Sequence, residues 1–258
     1  MRRRGGRIGP LQTVSTTSAS GFWDLTTQQQ QKGANLFPGP SVIGDGLVLH
    51  LDAANPSSYS GSGSTWVDLS GNGLNATFTN GTPTYSSSNG GRFEFGANNV
   101  YAQVATSALF NVGTGDFGIE VWVQFPTQVN QYGHLFGLPD QAGSRIFKTD
   151  ADANSTLYFF DGSSSYLYQV SNYTVPAGSW RQIVFTRRSG TVFGYTNGVS
   201  RGSQAATSLS LTSTSVRIRP SITVEYKTTY FSKALFYNVG LTDAQVSHNY
   251  QRFQERFP

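Results

Sequence analysis

The segment Gly46–Gly81, GLVLHLDAANPSSYSGSGSTWVDLSGNGLNATFTNG, constrains the fold of this chain more than any other. It opens on Leu47, Val48, Leu49 and Leu51, an apolar run long enough for one buried strand. Asp52, Asn55 and Pro56 end the run, because they favour turns and interrupt a strand ladder. A Ser/Gly loop follows, then Trp66-Val67-Asp68-Leu69, the turn Ser70-Gly71-Asn72-Gly73, and a second strand around Ala76–Thr79. The segment divides the chain into an extended arm, residues 1–40, and one β domain, residues 41–258.

Beyond it, short alternating runs recur between turn signals. Arg92–Phe95 and Val100–Val104 alternate. Phe117, Ile119, Val121, Val123 and Phe125 share one strand face, with Glu120, Trp122 and Gln124 on the other. Leu135–Leu138, Arg145–Lys148, Leu157–Phe160 and Tyr166–Val170 read as shorter strands. Trp180–Arg187 and Thr191–Tyr195 form a hairpin across Ser189-Gly190, and the second of them ends at Asn197-Gly198. Val216–Arg219, Ile222–Tyr226 and Ala234–Tyr237 complete the set. The last segment departs from this period: Leu241, Val246, Tyr250 and Phe253 share a helical face, and Thr242 with Gln245 makes a capping box. The expected fold is all-β, a two-sheet antiparallel jelly roll with a short C-terminal helix.

The arm has a different character. Arg2, Arg3, Arg4 and Arg7 account for the whole formal charge of +4, since 18 Lys and Arg stand against 14 Asp and Glu. Any attraction to an acidic surface or nucleic acid therefore belongs to the arm and not to the domain. Residues 24–33 read as a short helix, capped by Asp24 or Thr26 and closed by Gly33, with Phe22, Trp23 and Leu25 as an apolar plug at its entrance. Charged residues make up only 12% of the chain, so Ser, Thr, Asn, Gln and Gly must cover its surface. Cysteine is absent, which excludes disulfides and thiolate metal sites. No apolar run suits a signal peptide or a membrane span, so a soluble protein without a membrane partner is expected.

The ordered set Leu47–Gly81, Gly91–Val104, Phe117–Phe125, Trp180–Val199 and Phe236–Tyr250 resembles concanavalin A-like, laminin-G-like jelly-roll domains of bacteriophage virion structural proteins, cyanophage among them. The likeness covers about residues 44–257, and the arm resembles N-termini of phage tail, neck and capsid-associated proteins. One departure stands at Val239-Gly240, where the family carries Arg; it implies a changed surface contact and not a broken fold. The resemblance implies a virion protein, assembled in the bacterial host cytoplasm as a homo-oligomer on other virion proteins. It also implies a possible host-surface glycan as ligand.

Catalysis finds little support in the residues. Laminarinase-like relatives carry Glu-x-Asp-x-x-Glu on one strand, and this chain has no such pattern. Glu94 and Glu120 lie on separate strands and could serve as a carboxylate pair only by meeting across the sheet. His50, His134 and His248 show no paired spacing. Asp150, Asp152 and Asn154 have calcium-loop spacing, but Ser155 stands where such a loop needs Gly, so an acidic turn explains them and no cofactor is expected. For sugar binding, Tyr132, Tyr166, Tyr168, Asn172 and Tyr173 fall in loop-like segments and offer stacking rings and an amide; packing of sheet edges is the competing role. The leading expectation is a non-catalytic virion protein, a capsid decoration or a tail or neck appendage anchored by its arm. A host-attachment lectin is the alternative, and a polysaccharide hydrolase the least favoured.

Overall fold

A computed structural model describes residues 42–96, 99–126, 132–139, 145–150, 157–160, 166–170, 176–219 and 228–257, with 132–134, 145–150, 157–160 and 166–170 described as backbone. The arm, its helix over 24–33 and the strand expected at Ile222–Tyr226 lie outside these residues. In chain order the strands are β1 (Leu47–Asp52), β2 (Thr65–Trp66), β3 (Ala76–Thr79), β4 (Thr84–Ser86), β5 (Arg92–Phe95), β6 (Tyr101–Val104), β7 (Phe117–Gln124) and β8 (Tyr132–Leu138). They continue as β9 (Arg145–Asp150), β10 (Leu157–Phe160), β11 (Tyr166–Val170), β12 (Arg181–Arg188), β13 (Thr191–Thr196), β14 (Val199–Ala205), β15 (Val216–Ile218) and β16 (Thr229–Tyr237). One helix, α1 (Asp243–Phe253), follows them.

The strands form two antiparallel sheets. The first runs β14-β13-β12-β7-β16-β5-β4, with β1 added along β16; the second runs β11-β10-β9-β8-β15-β6-β3-β2. This is the expected two-sheet sandwich. Its first and last strands are neighbours, Leu51 standing opposite Ala234 and Asp52 opposite Lys233. The odd positions of β7, Phe117 to Val123, together with Phe125 beyond its end, face inward and join Phe93, Phe95, Phe231 and Phe236 in the core. From the second sheet Phe78, Ala102, Phe136, Val216 and Ile218 meet them.

The motif after Trp66 is explained by hydrogen bonding. Asp68 accepts from the backbone N–H of His50 and of Ser70, both at 2.9 Å, from the Ser70 hydroxyl at 2.7 Å and from the Leu74 N–H at 3.1 Å. One carboxylate thus ties the Ser70–Gly73 turn to β1, and Trp66 is left fully buried beneath it. Gly91 has φ 147, and a Cβ there would run into the Ala53 carbonyl. Only glycine allows β5 to begin so close to the end of β1.

Three strands were not expected from the sequence, the two-residue β2 and two others. β4 is three residues long, and β14 is a polar, mostly exposed edge strand paired with β13 through the Asn197-Gly198 turn. Both central residues of that turn have positive φ, 51 and 74, the conformation that suits a two-residue hairpin. At the departure from the family pattern, Val239 lies against Gly46, and β16 keeps its pairing up to Tyr237.

The outer face of the first sheet is covered by α1. Thr242 Oγ1 accepts the Gln245 N–H at 3.3 Å, and Gln245 Oε1 accepts the Thr242 N–H at 2.8 Å, so the capping box forms. Thr242→Ala is expected to cost about 1 kcal/mol and to lower Tm by about 2–4 °C in a thermal melt. An unchanged Tm would mean that packing alone sets the helix start. Among the described residues no helix is long and apolar enough to cross a membrane.

Candidate functional site

The two outer faces of the sandwich differ in kind. Under α1 the first sheet buries a mixed polar and aromatic layer. Trp122 lies parallel to Tyr250 at 5.8 Å and close to Phe257 at 4.5 Å, and its indole N–H donates to Glu120 at 3.0 Å. Glu120 also accepts from Asn249 Nδ2 at 2.8 Å. Burial pushes the Glu120 pKa up, against hydrogen bonds from Gln182, Asn249 and Trp122. Beside it Asp52 is gripped from two directions. It pairs with Lys233 and takes both terminal nitrogens of Arg256, at 3.0 and 3.1 Å.

Burial alone works against the Asp52 carboxylate, but the charges of Lys233 and Arg256 outweigh it and hold the pKa well below the usual range. Burial pushes Lys233 down to about 8 despite Asp52 beside it, and pushes His50, next to Lys233, down to about 3. The Lys233 ammonium also sits 3.7 Å from the centre of the Phe253 ring. Asp52, Glu120, Lys233, Trp122 and Asn249 are buried beneath α1 and the residues after it, while His50 and Arg256 at the edge are half-buried. The layer fastens α1 and the residues after it to the first sheet.

The second sheet carries no such cover among the described residues. Its register sets a polar row straight across the strands. Thr65 stands opposite Thr77, Thr77 opposite Gln103, Gln103 opposite Arg217, and Arg217 opposite Gly137. Five strands at the usual spacing make this row ~19 Å wide. The register continues through Ile146 and Phe160 to Tyr166. Thr65 and Thr77 are exposed, and Gln103, Arg217 and the neighbouring Tyr101 and Thr79 are half-buried.

The row is organised by hydrogen bonds. Gln103 Nε2 donates to Ser215 Oγ at 2.8 Å and to the Val216 carbonyl at 3.1 Å. Gln103 Oε1 accepts Arg217 Nε at 2.8 Å, and the guanidinium lies 4.7 Å from the centre of the Tyr101 ring. Hydroxyls, an amide, a ring and a cation on a flat face can hydrogen-bond and stack against sugars. Elsewhere a cleft of about 200 Å³ beside Glu94, Thr82, Thr84 and Thr228 falls below the usual volume of a small-molecule site.

The candidates from sequence fare unevenly. Tyr132 opens β8 opposite Asp150, and Tyr166 and Tyr168 lie on β11 opposite Phe160 and Phe159. All three are strand residues, not loop residues, because the aromatic runs around them extend and pair. Asn172 and Tyr173 lie outside the described residues, as do Arg2, Arg3, Arg4, Arg7, Phe22, Trp23 and Leu25. Asp150 ends β9, while Asp152 and Asn154 lie outside the description.

Glu94 and Glu120 do not form a facing pair. Glu94 stands opposite Tyr230 and Tyr230 opposite Gln124, four residues along β7 from Glu120. That separation is roughly 16 Å between backbone positions, beyond the 5–10 Å of a glycosidase pair. Glu94 instead pairs with Arg92 at 2.8 Å, and Glu120 is sealed under α1. His134 is a β8 residue, and His248 lies on α1. Sequence reading missed Tyr101, Gln103 and Arg217. The signal was present as the polar positions of two alternating strands, but nothing local indicates that those strands are neighbours.

Comparison with known proteins follows the same division between fold and ligand. No curated protein sequence matches the chain. Domain 4 of AbnA, a GH43 extracellular arabinanase from Geobacillus stearothermophilus in complex with arabinotriose, superposes with a TM-score of 0.60 at 19% identity, over 78% of this chain and 96% of that one. The binding domain of botulinum neurotoxin DC in complex with SialylT gives 0.62 at 14% identity, over 82% of this chain and 52% of that one. The Trypanosoma rangeli sialidase gives 0.59 at 16% identity, over 81% and 33%. The chain thus spans about half the length of the neurotoxin binding domains and less of the sialidase. At these identities the likeness concerns the fold. The Laminin_G_3 family model, described as the concanavalin A-like lectin/glucanases superfamily, matches residues 96–247, more than half of the sequence. With this match and with two antiparallel sheets closed into one sandwich, the chain belongs to the concanavalin A-like lectin/glucanases superfamily.

Proposed function

We propose that this protein is a non-catalytic virion component that displays a glycan-binding sandwich on a phage particle. The observation that carries the glycan half is the asymmetry of the sandwich. One outer face is closed by α1, and the other presents the ordered polar row from Thr65 to Arg217. The arabinotriose bound to the AbnA domain and the SialylT bound to the neurotoxin domain support a sugar as the ligand class.

The anchoring half rests on the sequence. Residues 1–40 dock on capsid, neck or tail proteins through Phe22, Trp23 and Leu25, and Arg2, Arg3, Arg4 and Arg7 meet an acidic surface or nucleic acid. Copies assemble as a homo-oligomer, which multiplies the avidity of a weak sugar site. The test compares the full chain with a variant lacking residues 1–40. The variant is expected to bind the same arrayed glycans and to be absent from purified particles. Equal incorporation would overturn the anchoring, and no saturable binding to any arrayed glycan would overturn the display.

A further inference from the structure

We propose that the glycan taken by the open face carries a carboxylate, and that Arg217 selects it; this rests on the glycan-binding reading and narrows it. Several other arginines are committed within the protein. Arg92 pairs with Glu94 at 2.8 Å, Arg188 with Asp243 at 2.9 Å, and Arg256 with Asp52 at 3.0 Å. Arg187 is buried and donates to the Leu209 carbonyl at 2.6 Å. Arg217 has no carboxylate partner among the described residues, and its two terminal nitrogens have no hydrogen-bond acceptor there.

Arg217 is nonetheless held in place. Gln103 grips it at Nε, Ser215 and the Val216 carbonyl orient Gln103, and Tyr101 lies under the guanidinium plane. A guanidinium pinned at Nε presents its two terminal nitrogens side by side, in the fork that matches a carboxylate. Because its rotamer is set before binding, less entropy is lost when the ligand arrives. Gly137, opposite Arg217 in the ladder, brings no side chain to that flank. Thr77 and Thr65 extend the row on the other side with hydroxyls that suit the neighbouring sugar. From Thr65 to Gly137 the row holds neither an acidic residue, which would repel the ligand, nor a second cation, which a tetrahedral sulfate or phosphate would favour.

The test uses the full chain at physiological salt, where loose ion exchange is screened. The probes are polygalacturonate, alginate and 3′-sialyllactose, the carboxyl-reduced form of each, and heparin as the sulfated control. Binding to at least one carboxylated probe is expected to weaken roughly 10- to 100-fold on carboxyl reduction. Arg217→Gln is expected to bring the carboxylated probe to the level of its reduced form with Tm unchanged, and Arg217→Lys to recover part of the loss. Gln103→Ala, which frees the guanidinium without removing it, is expected to give an intermediate loss.

If the reduced probes bind as well as the acidic ones, or Arg217→Gln binds the acidic ones as wild type, the carboxylate inference is overturned and the glycan reading stands. Preference for heparin over every carboxylated probe also overturns it. No binding to any probe, and none to neutral glycans on the array, overturns both.

Discussion

Asp52→Ala is expected to destabilise the protein by about 3–5 kcal/mol, because it leaves the buried Lys233 and the half-buried Arg256 without the carboxylate they share. The cost arises from that imbalance and not from the worth of the pair. Lys233→Met should therefore be close to neutral, or stabilising, at pH 7, since Asp52 keeps its two bonds to Arg256. The double variant is expected to be more stable than Asp52→Ala alone, and urea unfolding of all four proteins gives the cycle.

The pH dependence has two arms of known sign. The folded pKa of Asp52 is held below its unfolded value, so its contribution is complete above the ordinary carboxylate range and is lost progressively as pH falls from there through the lower folded value. The folded pKa of Lys233 is about 8 against 10.5 for an unperturbed lysine. Between those values the unfolded chain holds a proton that the folded one has released, so wild-type stability gains from this group as pH rises, and Lys233→Met lacks that gain. An Asp52→Ala variant within 1 kcal/mol of wild type would show that water reaches the cluster.

Phe93→Ala is expected to cost a further class of stability, about 3–5 kcal/mol, through a cavity between the sheets. Phe93 is fully buried on the first sheet, and its ring lies 4.8 Å from both Trp66 and Phe78 on the second. Tyr59 and Tyr85 close the cluster at 4.7 and 5.8 Å. Phe93→Leu keeps most of the volume and should cost less than about 1.5 kcal/mol. Tm should fall by roughly 10 °C in the alanine variant and by a few degrees in the leucine variant. Equal losses would mean that ring geometry, not volume, holds the sheets together there.

The aromatic residues also show how much of the fold a linear reading reaches. Alternation in Phe117–Phe125 assigns Phe117, Ile119, Val121, Val123 and Phe125 to the core, and the sandwich buries all five. The same alternation assigns Glu120 and Trp122 to the opposite face, where solvent would be the ordinary neighbour. The structure buries both, because α1 is long enough and apolar enough on one side to cover that face. β14 escaped notice for the reverse reason. VSRGSQA has no apolar period, since an edge strand with both faces mostly exposed needs none, and only pairing with β13 makes it a strand.

The binding face divides in the same way. Loop tyrosines look like sugar platforms on composition alone, yet Tyr132, Tyr166 and Tyr168 are strand residues. Arg217, one of several arginines in a neutral domain, has no local mark that separates it from the others. By itself the sequence determined the strand faces, the turn at Ser70–Gly73 and the capped terminal helix. Each follows from short-range periodicity or from side chains bonding within a few residues of themselves. Only the tertiary structure decided that Gln103 stands beside Arg217, more than a hundred residues away in the chain, and that Glu120 lies sealed under α1 while Arg217 is half-buried on a face without such cover among the described residues. Strand order and the choice of covered face arise from the summed burial of the two sheets, and no local stretch of sequence encodes that sum.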